Sequence, residues 1–430
     1  MLMLRTKSFW GVFAFVLTLA LLLSSIRGII SVDYYNQNAD FSQTFNNFSN
    51  LDSSRIIPVS SSASYPSVSA HSALLLDTVS GDTIFELNSR KRLPMASTTK
   101  IMTAIVALES GVDLNSIITV TKAMTGAEGS SMYLYVGERF VLLDLIYALM
   151  LNSANDSAEA IAVSVAGSID KFAAMMNDKV RELNLTDTNF KNPHGLDSEL
   201  HYTTAYDLAK ISAYALENET FYEITKTQSK IIYPKNSDGS DKSEGARFLR
   251  NHNKMLRLYK DAVGVKTGFT RRSGRCLVSA AERDGTRLVA VTINAGDDWN
   301  DHAKMLDYGF DNYKNIELCK ENEYIFEIDA VNGYKINQDG KREAVNTVKC
   351  ANIQAAFASL PKSIVREDIE YRIELPRFIY APVKKGDIVG RVVFTHDAGD
   401  IAYSIITASE DIETSVPKKS VISRLLDFFR

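Results

Sequence analysis

The chain has 430 residues, of which 45% are apolar and 23% charged, and its formal net charge is −4. These values are typical of a globular protein with room for two domains, and they exclude a disordered chain. Because the charge is slightly negative and no basic stripe is present, nucleic acid is not expected as a partner. Six scattered histidines without a zinc-binding spacing indicate that no metal or other cofactor is needed.

The first 30 residues have the pattern of an export signal. Arg5 and Lys7 precede an uncharged, mainly apolar run over residues 8–26. This run is nearly long enough to cross a bilayer, and no clear cleavage site follows it. Residues 1–30 are therefore predicted to be either a signal peptide or an N-terminal membrane anchor, followed by a polar linker over residues 31–68.

A first folded domain is expected over residues 69–314. It begins with a hairpin formed by residues 73–76 and 83–87, and a helix follows Ser97 and stops at Gly111. The remaining pattern predicts helices near 140–151, 156–166, 170–184, 204–216 and 299–312, with strands at 275–281 and 287–294. Strands at both ends with helices between them predict an α+β fold, in which an antiparallel sheet is flanked by helices and an all-helical lobe.

Two further segments complete the chain. Short strand-like runs over residues 315–412, with turn signals such as Asn332-Gly333, predict a small all-β domain. Residues 417–430 form a basic amphipathic pattern that ends in Phe428 and Phe429, which favours a helix lying on a membrane.

The three cysteines are too few for a disulfide framework. Cys276 is expected to be buried, and a disulfide between Cys319 and Cys350 is left open.

Three short motifs carry the predicted chemistry, and their order selects the first. S-x-N occurs once, at Ser153, and K-T-G occurs once, at Lys266. The pattern S-x-x-K occurs four times, beginning at Ser97, Ser168, Ser359 and Ser415. Only Ser97 lies upstream of both other motifs, and this order is the one used by penicillin-recognising acyl-transfer enzymes.

The residue types suit acyl transfer. If Ser97 opens a helix, Lys100 lies one turn later on the same face and can take the proton of the serine hydroxyl. For this, Lys100 must be partly neutral, which requires burial and a nearby cation such as Lys266. Ser153-Ala154-Asn155 is expected in a short loop before a helix capped by Asp156, where the hydroxyl can relay a proton and the amide can hold substrate.

The third motif is expected on a strand over residues 263–270. There Lys266 and Thr267 can bind a terminal carboxylate, and Gly268 leaves room for a peptide against the strand. The backbone N–H groups of Ser97 and Phe269 are the expected oxyanion donors.

With these motifs, residues 69–313 resemble the serine-type D-alanyl-D-alanine carboxypeptidases, the low-molecular-mass penicillin-binding proteins of peptidase family S11. Segments 192–197, 201–205, 251–256 and 308–310 are similar to family segments, as are the β domain and the terminal helix. The resemblance implies a β-lactamase/transpeptidase-like fold and removal of the last D-alanine from peptidoglycan muropeptides, with β-lactams as covalent inhibitors. It also implies action at the outer surface of the cytoplasmic membrane.

By position, the resemblance makes Ser97 the acylated nucleophile, Lys100 the base and Ser153 the proton relay. It implies that the substrate is bound by Asn155, Lys266 and Thr267, and it suggests that Arg250 helps to bind the terminal carboxylate.

Two alternatives stay open. A serine β-lactamase shares the motifs, but class A enzymes need a glutamate with an asparagine four residues later, and Glu182 has Asn184 only two residues on. A catalytically silent peptidoglycan-binding or β-lactam-sensing protein is the other, although neither Ser97 nor Lys100 is missing. A cytosolic esterase is contradicted by the export signal and by the absence of G-x-S-x-G.

Overall fold

A computed structural model describes residues 65–414 apart from residue 398. The described residues divide into two compact units, one of residues 65–317 with 357–368, the other of residues 318–356 with 369–414. The predicted export signal, the linker up to residue 64 and the terminal helix lie outside the described residues. Within those that are described, no helix is long and apolar enough to cross a membrane.

The first unit combines helices with a central sheet. Its strands are β1 Ser72–Asp77, β2 Thr83–Leu87, β3 Ile117–Thr119, β4 Arg139–Val141, β5 Ser229–Ile232, β6 Arg247–Arg250, β7 Ala262–Thr270, β8 Gly274–Arg283, β9 Thr286–Ile293 and β10 Tyr313–Cys319. Its helices are α1 Lys100–Glu109, α2 Leu142–Leu151, α3 Asn155–Ala166, α4 Ile169–Glu182, α5 Ala205–Glu217, α6 Glu219–Lys226, α7 Met255–Leu258 and α8 Asp298–Asn312.

The main sheet is antiparallel and has five strands in the order β2-β1-β9-β8-β7. Its inner strands β1, β8 and β9 are nearly continuous runs of buried residues because both faces of the sheet are covered. One face packs against α1–α6 and the other against α8. Strand β7 is an edge strand, so the polar backbone groups along one of its sides have no partner strand.

Helix α1 lies at the centre of the helical lobe. Its residues from Lys100 to Ala107 are all buried, which is the pattern of a core helix and not of a surface helix. Around it, α4 is amphipathic and buries Phe172, Met176 and Val180 on one face. The buried faces of these helices form one apolar cluster with the strands β7–β9, and this cluster fixes where α1 begins relative to the sheet.

The second unit is all β. Its strands and those of the intervening segment are β11 Ile325–Ile336, β12 Arg342–Asn352, β13 Ala356–Pro361, β14 Glu370–Glu374, β15 Phe378–Tyr380, β16 Ile388–His396, β17 Gly399–Ala408 and β18 Glu413–Thr414. All but β13, which pairs with β10, belong to one seven-stranded sheet. The predicted turn at Asn332-Gly333 is wrong: these residues lie inside β11, where the register of the β11–β12 pair shifts. The positive φ of Asn332 is used in a bulge, which needs the same local conformation as a turn.

The three cysteines are buried free thiols, so the burial predicted for Cys276 is confirmed and Cys319 and Cys350 are not paired.

Candidate active site

Ser97 lies in a tight turn that leads directly into α1. The 3₁₀ turn Ala96–Thr99 is stabilised by its own hydroxyls, since Thr98 Oγ1 donates to Met95 O at 2.6 Å and Thr99 Oγ1 to Ala96 O at 2.7 Å. Lys100 follows as the first residue of α1, three residues after Ser97. This spacing brings Lys100 Nζ within 2.9 Å of Ser97 Oγ.

Lys100 is fully buried, and its Nζ has three oxygen partners. Besides Ser97 Oγ, it donates to Asn155 Oδ1 at 2.6 Å and to the carbonyl oxygen of His194 at 2.7 Å. The amide and carbonyl oxygens can only accept hydrogen bonds, whereas the serine hydroxyl can accept or donate. Both protonation states can satisfy the three partners. An ammonium donates to all three oxygens, whereas a neutral amine donates to the two acceptors and leaves its lone pair for the hydroxyl of Ser97.

Burial and a neighbouring cation favour this neutral form. Desolvation, and after it the positive charge of Lys266, hold the pKa of Lys100 well below its usual value. Lys266 is itself only 1% exposed, and burial lowers its pKa to about 7. A lysine base is expected to need burial and a second cation nearby. Both conditions are present around Lys100.

Ser153 and Asn155 lie where α2 ends and α3 begins. Ser153 has a φ of 58° in the connecting loop, and Asn155 is the first residue of α3. The amide nitrogen of Asn155 donates to the carbonyl oxygen of Glu128, which fixes the side-chain oxygen towards Lys100.

The cap expected from Asp156 is wrong, because Ala154 precedes the helix and makes no side-chain cap. The Asp156 carboxylate instead accepts hydrogen bonds from Ser131 Oγ and from the backbone N–H groups of Met132 and Leu134. An acidic side chain in a first helical turn can serve a neighbouring loop as well as its own helix, and the sequence does not distinguish the two.

Lys266, Thr267 and Gly268 lie on the edge strand β7, as predicted. A Cβ atom on Gly268 would lie 3.0 Å from the backbone nitrogen of Ser97 and 3.1 Å from both Ala96 Cβ and Met95 O. The close approach of the Ser97 turn to the strand therefore favours a glycine here, in addition to any room that it leaves for a peptide.

One cavity of about 450 Å³ joins residues of all three motifs. It is lined by Ser97, Ser130, Ser153, His252, Thr267, Gly268, Phe269, Arg275, Cys276, Asp298 and Trp299. Lys100, Asn155 and Lys266 lie buried behind this lining, the first two joined to Ser97 through the hydrogen bonds of Lys100.

Arg250 does not line this cavity. It is exposed on β6, and its backbone N–H donates to Asn152 Oδ1. The guanidinium in the cavity belongs to Arg275, whose side chain is 44% exposed and forms an ion pair with Asp298, which is 4% exposed. No motif in the sequence marks Arg275, although the strands predicted at 263–270 and 275–281 imply a hairpin, in which Arg275 lies opposite Phe269.

The other S-x-x-K matches within the described residues have structural roles. Ser168 is the N-cap of α4, where its side chain accepts a hydrogen bond from the backbone N–H of Lys171. Ser359 lies in β13, and its backbone N–H donates to the Asp82 carboxylate. The match at Ser415 lies outside the described residues.

The antiparallel sheet, the helical lobe and a cavity that joins the three motifs at the edge strand define the class of the protein as a penicillin-recognising serine acyl-transfer enzyme. The family model for D-alanyl-D-alanine carboxypeptidase, peptidase family S11, matches residues 59–297. The chain therefore belongs to this family and is a peptidase hydrolase, which confirms the fold, family and activity predicted from the sequence.

Relatives and solved structures agree with this assignment. D-alanyl-D-alanine carboxypeptidase DacF of Bacillus subtilis is 30% identical over 351 residues, which cover 80% of this chain and 86% of DacF. DacC of Escherichia coli is 30% identical over 372 residues, with coverage of 81% and 85%. Penicillin-binding protein 5 of Haemophilus influenzae superposes with a TM-score of 0.68 at 26% identity over 81% of this chain and 99% of that structure. The Streptomyces K15 DD-transpeptidase gives a TM-score of 0.55 at 30% identity, over 58% and 99%.

Proposed function

We propose that this enzyme removes the terminal D-alanine from peptidoglycan pentapeptide stems through an acyl-Ser97 intermediate. The observation that carries the proposal is the hydrogen-bond set of Lys100 Nζ: two acceptors and one hydroxyl, all within 2.9 Å of a fully buried amine. Such a lysine can act as a general base at neutral pH, as an ordinary exposed lysine cannot.

In the acylation step, Ser97 Oγ attacks the carbonyl carbon of the penultimate D-alanine while its proton passes to Lys100 Nζ. The electron pair of that carbonyl moves onto its oxygen, which the backbone N–H groups of Ser97 and Phe269 stabilise at the cavity wall. When the tetrahedral intermediate collapses, the peptide C–N bond breaks. The proton that Lys100 accepted passes through the hydroxyl of Ser153, which lines the same cavity, to the leaving nitrogen, and D-alanine departs. Water then hydrolyses the ester and regenerates Ser97.

The terminal carboxylate of the substrate needs cationic partners in this cavity. We assign it to Thr267 and Arg275, which both line the cavity, and to the positive charge of Lys266, which lies buried behind the lining. Asp298 holds the guanidinium of Arg275 in place, and a paired arginine can still offer its remaining N–H groups to a carboxylate. The exposed Arg250 is the weaker candidate for this role.

Two terminal segments of the sequence support a location outside the cytoplasm for this enzyme. The apolar N-terminal segment supports export, and the basic amphipathic pattern of residues 417–430 supports attachment to the outer surface of the cytoplasmic membrane. There the enzyme acts on muropeptides with a D-Ala-D-Ala terminus, and β-lactams acylate Ser97 as substrate analogues.

Labelling with a fluorescent penicillin tests the nucleophile. The wild-type protein should become covalently labelled and Ser97→Ala should not, while Ser168→Ala, which changes only the α4 cap motif, should label like the wild type. Equal labelling of wild type and Ser97→Ala would refute the assignment of Ser97. D-alanine release from a Lys-D-Ala-D-Ala peptide then tests the reaction: release supports the carboxypeptidase, and cross-linked product in its place indicates a transpeptidase.

A further inference from the structure

A loop beside the cavity displays two tyrosine rings to solvent. We name residues 130–137 the tyrosine loop. Tyr133 is 73% exposed and Tyr135 is 67% exposed, whereas Met132 and Leu134 between them are buried. Among the described residues, the side chains of Tyr133 and Tyr135 make no hydrogen bond or ring contact. Two neighbouring aromatic side chains that are exposed and unpartnered form a candidate contact surface.

The loop backbone is held firmly, so the points from which the two rings project are fixed. From one side, the Asp156 carboxylate accepts the N–H groups of Met132 and Leu134. From the other, the guanidinium of Arg247 donates to the carbonyl oxygens of Met132 at 3.1 Å and Tyr133 at 3.2 Å. Because alternate residues are anchored inward, the tyrosines between them must point outward.

A second set of bonds ties the loop to its surroundings. The Glu138 carboxylate accepts the N–H of Tyr135 at 2.9 Å and pairs with Arg247 at 2.8 Å. The φ of Tyr133 is 61°, a conformation that a non-glycine residue keeps only when its surroundings impose it. The tyrosine loop is therefore a rigid platform.

The platform adjoins the substrate cavity. Ser130, at the start of the loop, lines the cavity, and its carbonyl oxygen accepts the backbone N–H of Asn155 at 2.7 Å. Tyr133 follows three residues later and so lies no more than about 11 Å along the chain from the cavity wall. In a pentapeptide stem, four residues separate the reacting carbonyl from the sugar, a reach of roughly 13 Å when extended. The stem is therefore at least as long as the chain path from the cavity wall at Ser130 to Tyr133.

We propose that Tyr133 and Tyr135 form a saccharide subsite that binds the N-acetylated amino sugar carrying the stem peptide. This inference rests on the proposed function and extends it from the peptide to the glycan. The face of a pyranose ring presents C–H groups to the negative π face of an aromatic ring, and the tyrosine hydroxyls can hydrogen-bond the polar edge of the sugar. Tyrosine loses little conformational freedom on binding, because its side chain has only two torsions.

Other occupants fit less well. The stem peptide itself has the free edge of β7 to pair with, which is how extended peptides bind sheet edges. A protein partner would need roughly 800 Å² on this surface, whereas two tyrosines supply about 200 Å² each. The size and chemistry of the platform match one or two sugar rings.

The test compares two substrates that differ only in the sugar: a free stem pentapeptide and the same pentapeptide on its N-acetylglucosaminyl-N-acetylmuramyl disaccharide. D-alanine release gives kcat/KM for each. We expect the full-length wild type to prefer the disaccharide substrate about tenfold through a lower KM. Tyr133→Ala/Tyr135→Ala should remove this preference while kcat/KM on the free pentapeptide stays within about twofold.

Matched variants keep the result interpretable. Tyr133→Phe/Tyr135→Phe retains the rings and should keep most of the preference, and Phe378→Ala, an exposed aromatic of the other compact unit, should keep all of it. An equal loss on both substrates would overturn the proposal in favour of a peptide contact, and a wild type without any preference would overturn it outright. Failure of the proposed function would look different, because the wild type would then release D-alanine from neither substrate.

Discussion

The side-chain oxygen of Asn155 lies 2.6 Å from Nζ of Lys100, so one hydrogen bond joins the S-x-N motif to the S-x-x-K motif. Asn155→Asp would place a negative charge at this distance. An opposite charge stabilises the ammonium form and raises the pKa of Lys100. We expect acylation by a fluorescent penicillin to slow about a hundredfold at pH 7, a loss of roughly 3 kcal/mol of transition-state stabilisation, and to recover partly as the pH is raised.

Asn155→Ala is the matched control for this change. It removes the same hydrogen bond without adding charge, so it should slow acylation without moving the acid limb of the pH profile upward. If the acid limbs of Asn155→Asp and the wild type coincide, Lys100 is not the base.

The pH dependence of kcat/KM follows from the two buried lysines. Lys100 must be neutral to accept a proton, so kcat/KM rises as the pH passes its lowered pKa. Lys266 must be charged to attract the carboxylate, and because burial lowers its pKa to about 7, kcat/KM falls above neutral pH. In Lys266→Arg the guanidinium stays protonated, so the falling limb should disappear from a profile measured between pH 5 and 10. A falling limb that persists unchanged would show that another group causes it.

The roles of Arg275 and Arg250 can be distinguished with substrates that carry or lack a terminal carboxylate. A peptide ending in D-Ala-D-Ala is compared with its C-terminal amide, which lacks that charge. Arg275→Ala combined with Asp298→Asn, which avoids leaving a buried carboxylate without its cation, should lower the carboxylate-to-amide ratio of kcat/KM at least about tenfold, since a charged hydrogen bond contributes ~1.5–3 kcal/mol. Arg250→Ala should leave this ratio unchanged. The opposite outcome would show that Arg250, and not Arg275, binds the terminal carboxylate of the substrate.

Local patterns in the sequence predicted most of the elements around the site. The β1–β2 hairpin, the helix after Ser97 and the strands β8 and β9 follow from runs of apolar residues with clear turn signals, and the structure confirms them. The pairs β3–β4 and β5–β6 were missed because these strands have only three or four residues each. Helix α6 was missed because it has eight residues and starts directly after α5, with Asn218 as its cap.

The order of the motifs predicted which motif residues lie together at the active site. It did not predict contacts that depend on how helices and strands pack against one another. Arg275 and Asp298 are 23 residues apart, and only the packing of α8 against the sheet brings them together. The position of Arg250 directly before the family-like segment 251–256 suggests a role at the site, yet alternate residues of a strand face opposite sides and its side chain is exposed. In the tyrosine loop burial alternates from Met132 to Tyr135, but all four residues are apolar or aromatic, so the sequence does not indicate which of them are exposed.

The close packing of the Ser97 turn against Gly268 can be tested with one substitution. A methyl group added at Gly268 would press directly on this turn. In Gly268→Ala the new Cβ would meet Ser97 N at 3.0 Å and Met95 O at 3.1 Å, and backbone atoms of a packed turn cannot move aside as a flexible side chain can. We expect acylation to slow at least about tenfold and thermal unfolding to show a loss of about 1–3 kcal/mol. Gly296→Ala is the matched control, since its Cβ would meet nothing closer than Ser69 Oγ at 3.8 Å. Wild-type acylation by Gly268→Ala would mean that the Ser97 turn tolerates displacement from β7 and that the close approach is not needed for catalysis.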